Sequence, residues 1–423
     1  MMIRILTVAL LVALPACTPE DPNLGADRDV GEDTGIIDQS DTGTDFDAPA
    51  DTDDASTETD PWKELPPRPW SSEEAGPFEV GYRFETFVYQ PRGNGEEPRE
   101  LELSIWYPTF EDDADDATYS AFLPRPGVWQ NAEPALRDGT PIMLFSHGHQ
   151  SISAQSYYWT EFLASHGWIV VAPEHKYGTL RDTSPDETEN LKSAIYRPQD
   201  LSASLDYLLA LPSDDPLSGQ DSDRVAASGH SLGGYTTLAI TGAQLAVDEI
   251  QQDCDDGTLS GRYCHILTES SIEIFRQGFL DERVQVGIPM SPPGAFVFRD
   301  GLSEVVTPSL LWTADRDARL PNEEEGDPIW ESLSAPSMVR TNVLDAGHFT
   351  LSNMCDFLGN LDFIRDDGCG DDFIASDVIH PLNNAYCLEF LRAHLDLQDS
   401  AQPWFTDDHE PLHPSLHFSF PSP

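Results

Sequence analysis

One stretch of this chain, Pro141-Ile142-Met143-Leu144-Phe145-Ser146, is a short continuous apolar run, and similar, mostly apolar runs recur over 168–172, 224–228, 284–290, 309–313 and 339–344. A strand that reads this way must bury both faces, which happens where parallel strands are covered by helices on two sides. Helical spacing fills several of the gaps, over 154–166, 194–210 and 232–246. A last helix over 381–397 puts Leu382, Tyr386, Phe390 and Ala393 on one face. Upstream, alternating segments over 80–89 and 99–107 flank the turn-rich Pro91-Arg92-Gly93-Asn94-Gly95 and predict an antiparallel hairpin. The expectation is an α/β fold: a mostly parallel central sheet, an N-terminal antiparallel hairpin, and helices on both faces joined by right-handed crossovers. In such a sheet the loops at the carboxyl ends of the strands carry the site.

The residues before this domain read differently. Arg4 precedes an apolar run over 5–14, which is shorter than a bilayer of ~30 Å requires and has the shape of an export signal. Its end, Leu14-Pro15-Ala16-Cys17, resembles a bacterial lipobox, which implies acylation of Cys17 and an exported lipoprotein on the cell envelope; the alternative is a secreted chain with an ordinary cleaved signal. Residues 18–61 hold 15 acids against Arg28 alone and hardly a large apolar side chain, so they cannot offset the entropy of ordering and are expected to form a solvated acidic tether. Residues 62–423 then form one domain with an insert over about 244–281. The only membrane association expected is through the lipid anchor.

With 75 Asp and Glu against 23 Lys and Arg, the chain carries a formal charge of −52, a field that repels polyanions and excludes nucleic acid as a partner. Beside Cys17 there are five cysteines. In an oxidising compartment Cys254/Cys264 and Cys355/Cys369 could close short loops, although Cys387 competes for a partner. No cysteine and histidine spacing suggests zinc, and His147 with His149 has no third ligand nearby in sequence, so neither metal nor cofactor is expected.

Chemistry concentrates at Gly229-His230-Ser231-Leu232-Gly233, where the run ending at Ser228 meets a helix beginning at Leu232. A serine on so tight a strand-to-helix turn takes a strained conformation, and the two glycines let strand and helix approach closely enough to expose its hydroxyl. That hydroxyl needs a base, and the base needs an acid to orient it. Ala346-Gly347-His348-Phe349 follows the last run, and Ala314-Asp315-Arg316-Asp317 follows the one before it. Ser231, His348 and Asp317 are thus the candidate catalytic residues. Asp317 is favoured over Asp315 because Asp317-Ala318-Arg319-Leu320-Pro321 fits the Asp-x-x-x-Pro turn that follows this strand in the fold these motifs resemble, which leaves Asp315 as a loop cap or ion-pair residue. Donors for an oxyanion are expected from the backbone N–H of Leu232 and of His149, the latter turned inward by Gly148.

These motifs, together with Leu144-Phe145-Ser146-His147-Gly148, Ala172-Pro173-Glu174-His175-Lys176 and Arg197-Pro198-Gln199-Asp200, resemble the platelet-activating factor acetylhydrolase-like and predicted dienelactone hydrolase-like branch of the α/β hydrolases. The resemblance covers about residues 80–395. It implies a serine carboxylic ester hydrolase acting on a small-molecule or lipid ester, with Ser231 where dienelactone hydrolases carry cysteine. The Asp-x-x-x-Pro turn and a His149-type amide are also similar to cutinase-like polyester hydrolases, so a polyester hydrolase or lipase is the alternative, and a non-catalytic surface-binding protein is the rival of another class. Preference for short acyl groups is expected. Glu174 and His175 are read as a hydrogen-bonded loop, Arg197 and Asp200 as a cap and ion pair before a helix, and His380 as a helix start. The insert either caps the cleft or packs on the body. Tyr157, Tyr158, Trp159 and Trp312 either line a pocket or fill the core.

Overall fold

The structure, a computed structural model, describes residues 60–93, 97–182, 187–221, 223–260, 264–265, 267–395, 404–406 and 408–421, with 187–191 as backbone only. The signal and Cys17, nearly all of the acidic segment, and the turn residues Asn94 and Gly95 lie outside the described residues.

Among the described residues eleven strands form one sheet: β1 (Glu79–Tyr89), β2 (Arg99–Thr109), β3 (Asp116–Tyr119), β4 (Leu123–Gln130), β5 (Ile142–Ser146), β6 (Ile169–Pro173), β7 (Val225–His230), β8 (Val284–Met290), β9 (Ser309–Ala314), β10 (Met338–Val343) and β11 (Leu416–Ser419). Their order across the sheet is β11-β10-β9-β8-β7-β5-β6-β2-β1-β4-β3. The block from β10 to β6 is parallel throughout, while β2 joins β6 antiparallel and pairs with β1 as the hairpin, Glu79 opposite Thr109 and Tyr89 opposite Arg99. Strands β3, β4 and β11 are additions to the sequence reading. Their signals are faint because β4 carries two prolines and a glycine, and β3 and β11 are four-residue strands at the sheet edges, where pairing on one side relaxes the demand for apolar residues.

Seven helices matter here: α1 (Tyr157–Ser165), α2 (Glu187–Leu209), α3 (Leu232–Ile240), α4 (Val247–Asp255), α5 (Glu269–Gln277), α6 (Gly326–Ser332) and α7 (Ser376–His394). They explain why the central runs are apolar without a break. On one face Met143, Phe145, Val170, Ala172 and Ala226 pack with Trp159 and Leu163 of α1 and Tyr386 and Phe390 of α7. The intervening residues Ile142, Leu144, Ile169, Val171, Val225 and Ala227 meet Leu201, Leu205 and Leu208 of α2 on the other. Every residue of β5, β6 and β7 is buried. Each large side chain so covered contributes roughly 1.5–3 kcal/mol.

Helix α3 stops at Ile240, short of the residue 246 that periodicity suggests, because Gly242 follows at φ 122°, where the chain turns away. Helix α7 begins at Ser376, five residues before the expected start, and runs through Pro381; a lost N–H is tolerable in a helix whose far face is held by the core. The insert holds α4 and α5. Thr268 caps α5 by accepting from the Ser271 N–H at 3.2 Å, and Ile272, Ile274, Phe275 and Phe279 bury themselves against Tyr235 and Leu238 of α3. It therefore packs on the body around the elbow helix. Trp159 and Trp312 are fully buried core residues, and Tyr157 and Tyr158 are half-buried. Disulfides join Cys254 to Cys264 and Cys355 to Cys369, leaving Cys387 a buried thiol. Among the described residues no helix is long and apolar enough to cross a membrane.

Candidate active site

Ser231 sits at the end of β7 with φ 57° and ψ −123°, a backbone region that L side chains adopt at a cost of about 1–3 kcal/mol. Close approach holds it there. A Cβ on Gly233 would lie 1.8 Å from the Ser146 carbonyl oxygen, and one on Gly229 would lie 2.5 Å from that of Gly233. The Ser231 N–H donates to Met290 O at 2.9 Å, tying the turn to the end of β8.

Two other loops at the same sheet end supply its partners. His348 follows β10 and Asp317 follows β9, and both are buried. Ser231 Oγ lies 3.0 Å from His348 Nε2, and His348 Nδ1 lies 2.7 Å from Asp317 Oδ2. A carboxylate only accepts, so Nδ1 carries the proton and Nε2 is left to accept from the serine. Asp317 is fixed through its other oxygen, which accepts from the N–H groups of Arg319 at 3.0 Å and Leu320 at 2.8 Å. Burial pushes its carboxyl up, but the His348 ring and the Leu320 N–H outweigh that and hold it below the usual carboxylate range. Asp315 is exposed and accepts a long 3.4 Å bond from the Asp345 N–H, while Asp317 holds the imidazole contact.

Leu232 is the first residue of α3, directly after Ser231. His149 lies exposed on the loop after β5. The preceding Gly148 is close-packed, for a Cβ there would come within 3.3 Å of Ser231 Cβ, and its N–H is already given to Gln155 Oε1. This second bond belongs to a relay that no sequence signal indicated. Gln155 Nε2 donates to His230 Nδ1 at 2.6 Å, and His230 Nε2 donates to the His348 carbonyl at 2.8 Å. One buried amide and one buried imidazole thus connect the loop after β5, the elbow and the His348 loop. Burial, aided by the neighbouring His348, holds His230 down at about 3, so it stays a neutral connector.

Behind the site lies a second Ser, His and Asp set. Ser146 Oγ is 2.8 Å from His175 Nε2, and His175 Nδ1 is 2.9 Å from Asp200 Oδ2. All three are fully buried, and Asp200 is neutralised by Arg99 at 2.7 Å and accepts from the Tyr89 hydroxyl at 2.6 Å. No substrate reaches Ser146, so this set is structural. It corrects the sequence reading of Arg197 and Asp200, which lie inside α2 rather than before a helix. Arg197 is a buried cation that donates to the carbonyls of His147 and, at 3.0 Å, Gly148, bracing the loop after β5; only the assembled fold shows that a residue fifty positions away sits there. Glu174 is the hydrogen-bonded loop residue expected, accepting from the Ser153 N–H at 3.0 Å. His380 is not a helix start: it lies within α7, stacked on Tyr158 at 3.7 Å. Among the described residues no three His, Cys, Asp or Glu side chains gather as a metal set.

The buried histidines make the fold sensitive to acid. Burial holds His166, His175 and His380 down at about 4 and His230 at about 3, and pushes His147 well below its usual value. In the unfolded chain each returns to about 6.5. Stability from keeping them neutral is therefore full above pH ~6.5 and is lost as pH falls toward ~4, by up to about 1.4 kcal/mol per pH unit for each histidine. The raised carboxyls of Glu174, Glu325 and Asp367 oppose this but are fewer. The midpoint of thermal unfolding is expected to drop steadily from pH 6.5 to pH 4, and a flat profile in calorimetry would contradict the burial of these rings in neutral form.

The chlorophyllase family model matches residues 115–251, a stretch that includes the loop after β5 and the elbow but neither Asp317 nor His348. Comparison with the curated proteins finds no match. Among solved structures, a ferulic acid esterase from Streptomyces cinnamoneus superimposes with a TM-score of 0.57 at 21% identity, covering 81% of this chain and 96% of that one. With its parallel block, its N-terminal antiparallel strands and a serine elbow between β7 and α3, this chain has the α/β-hydrolase fold.

Proposed function

We propose that the chain hydrolyses carboxylic esters through an acyl-enzyme. The observation that carries this reading is the continuous chain of bonds from Ser231 through His348 to Asp317, at the carboxyl ends of strands β7, β10 and β9. In the first half-reaction Ser231 Oγ bonds to the ester carbonyl carbon while its proton passes to His348 Nε2. The oxyanion so formed is met by the N–H groups of Leu232 and His149. When the intermediate collapses, the bond to the alcohol oxygen breaks and His348 returns the proton to that oxygen. Water repeats the sequence on the acyl-serine, releasing the acid and restoring the hydroxyl. Asp317 keeps the imidazole in the required tautomer and offsets its transient charge. The chlorophyllase match and the ferulic acid esterase fold support ester chemistry.

Within that class we read the substrate as a small-molecule or lipid ester with a short acyl group, a polyester or long-chain lipid being the alternative. A fluorophosphonate is expected to label Ser231, located by mass spectrometry of the modified peptide. Aryl esters from acetyl upward should turn over fastest at the short end, with peptides uncleaved. An unlabelled protein with no ester turnover would instead leave a hydrolase fold used for binding.

For location, we propose export and acylation at Cys17. The two disulfides suit an oxidising compartment. The mature chain should partition with membranes and Cys17→Ser should release it; a wild type found wholly in the soluble fraction would overturn the anchor.

A further inference from the structure

Residues 355–369 form a loop closed by the Cys355–Cys369 disulfide just after the base, and its end tucks beneath the site. There Asp367 is buried, and one oxygen, Oδ1, accepts two backbone N–H groups: that of His348 at 3.0 Å and that of Ala318 at 3.1 Å. The first donor is the base itself and the second directly follows the acid. Pairing between the two loops continues past the strand ends as far as Arg316 N–H to Ala346 O at 2.8 Å. Beyond it, Asp367 is the bridge that joins the acid turn to the base loop from below, while the bond from Asp317 to His348 joins them above.

The backbone is shaped for this insertion. Gly368 has φ 130°, and a Cβ there would meet the Thr350 N at 2.7 Å. A Cβ on Gly347 would lie 2.5 Å from the Asp367 carbonyl carbon. Thr350 Oγ1 closes the turn by donating to Gly368 O at 3.2 Å. Around His348 the charged and titratable groups among the described residues are Asp317 from the loop after β9, neutral His230 from the elbow, and Asp367 from the disulfide loop, whose carboxyl meets the His348 backbone N–H, interacts electrostatically with its ring, is raised by burial above the usual carboxylate range, and pairs through Oδ2 with Arg319 Nε at 3.4 Å.

We propose that Asp367 is a positioning residue of the catalytic relay: its carboxylate locks the acid turn to the base loop, and its negative charge favours the imidazolium that His348 becomes at each step. This rests on the ester-hydrolase reading. A backbone hydrogen bond to a neutral acceptor could hold the loops, but an anion beside a group that gains a proton also stabilises the protonated state. The two contributions are separable, because Asn keeps an Oδ1 acceptor and removes the charge, whereas Ala removes both.

The test is steady-state ester hydrolysis by wild type, Asp367→Asn and Asp367→Ala, with active sites counted by fluorophosphonate titration so that any misfolded fraction drops out. In Asp367→Asn, kcat per titrated site is expected to fall about 10-fold with KM within about twofold, and the acid limb of the kcat/KM profile to move down by about 0.5 pH unit. In Asp367→Ala the loss should reach about 10²-fold. An Asp367→Asn profile whose acid limb stays in place, with kcat per site unchanged, overturns the proposal even if Asp367→Ala fails to fold. A wild type that neither labels nor turns over esters fails earlier, at the hydrolase reading itself.

Discussion

Ser231→Ala is expected to lower kcat for an aryl ester by roughly 10⁶-fold and to abolish fluorophosphonate labelling, while moving the thermal midpoint by no more than about 2–4 °C. The loss is large because in the proposed mechanism the hydroxyl is the atom that bonds to the substrate, and neither the imidazole nor the backbone amides can replace it. The change in stability is small because the deleted oxygen makes one bond, 3.0 Å to His348 Nε2, and the strained φ of 57° is imposed by neighbours that remain. Gly233 is still pressed on the Ser146 carbonyl and Gly229 on that of Gly233. Initial rates at matched concentration of folded protein measure the effect, and turnover within tenfold of wild type would remove Ser231 as nucleophile.

Asp317→Asn should lower kcat roughly 10⁴-fold, whereas Asp315→Asn should leave it within about twofold. An Asn amide facing Nδ1 donates, so the imidazole flips its proton to Nε2 and presents a donor where it must accept from Ser231. The Asp317 carboxylate also offsets the charge His348 acquires, in a site where both side chains are nearly dry. Asp315 is exposed and, among the described residues, its side chain accepts a long bond from the Asp345 N–H, so its neutralisation is screened. Circular dichroism would show both variants folded, and comparable losses in the two would mean that the acid has been placed wrongly.

The strands β5, β6 and β7 were legible because each has both faces covered, and two-sided burial leaves a nearly continuous run of apolar and small residues; β8, β9 and β10 showed the same pattern more weakly, with Gln285 in β8 and Arg340, Thr341 and Asn342 in β10. Strand β4 was not, since at its place near the sheet edge prolines and a glycine are tolerated. Ser231 was legible through its flanking glycines, whose need is written into the local turn. His348 was legible because it follows a strand beside a glycine. Gln155, His230, Arg197 and Asp367 carried no such local mark. Gln155 is an amide on the approach to a helix, and Asp367 is one acid among 75 acidic residues.

What this chain's sequence determined by itself is the order of the hairpin, of the central strands β5 to β10 and of the helices between them, and the order of Ser231, Asp317 and His348 along it, because burial periodicity and the glycine requirement at a tight turn act between near neighbours. Tertiary structure alone decided the rest. It closed the 2.7 Å contact between the Asp317 carboxylate and the imidazole, buried Arg197 and Asp200 within α2 as a brace, and brought a disulfide-closed loop under the base. Those outcomes depend on distances between segments far apart in sequence, and only the packed sheet and its loops determine such distances.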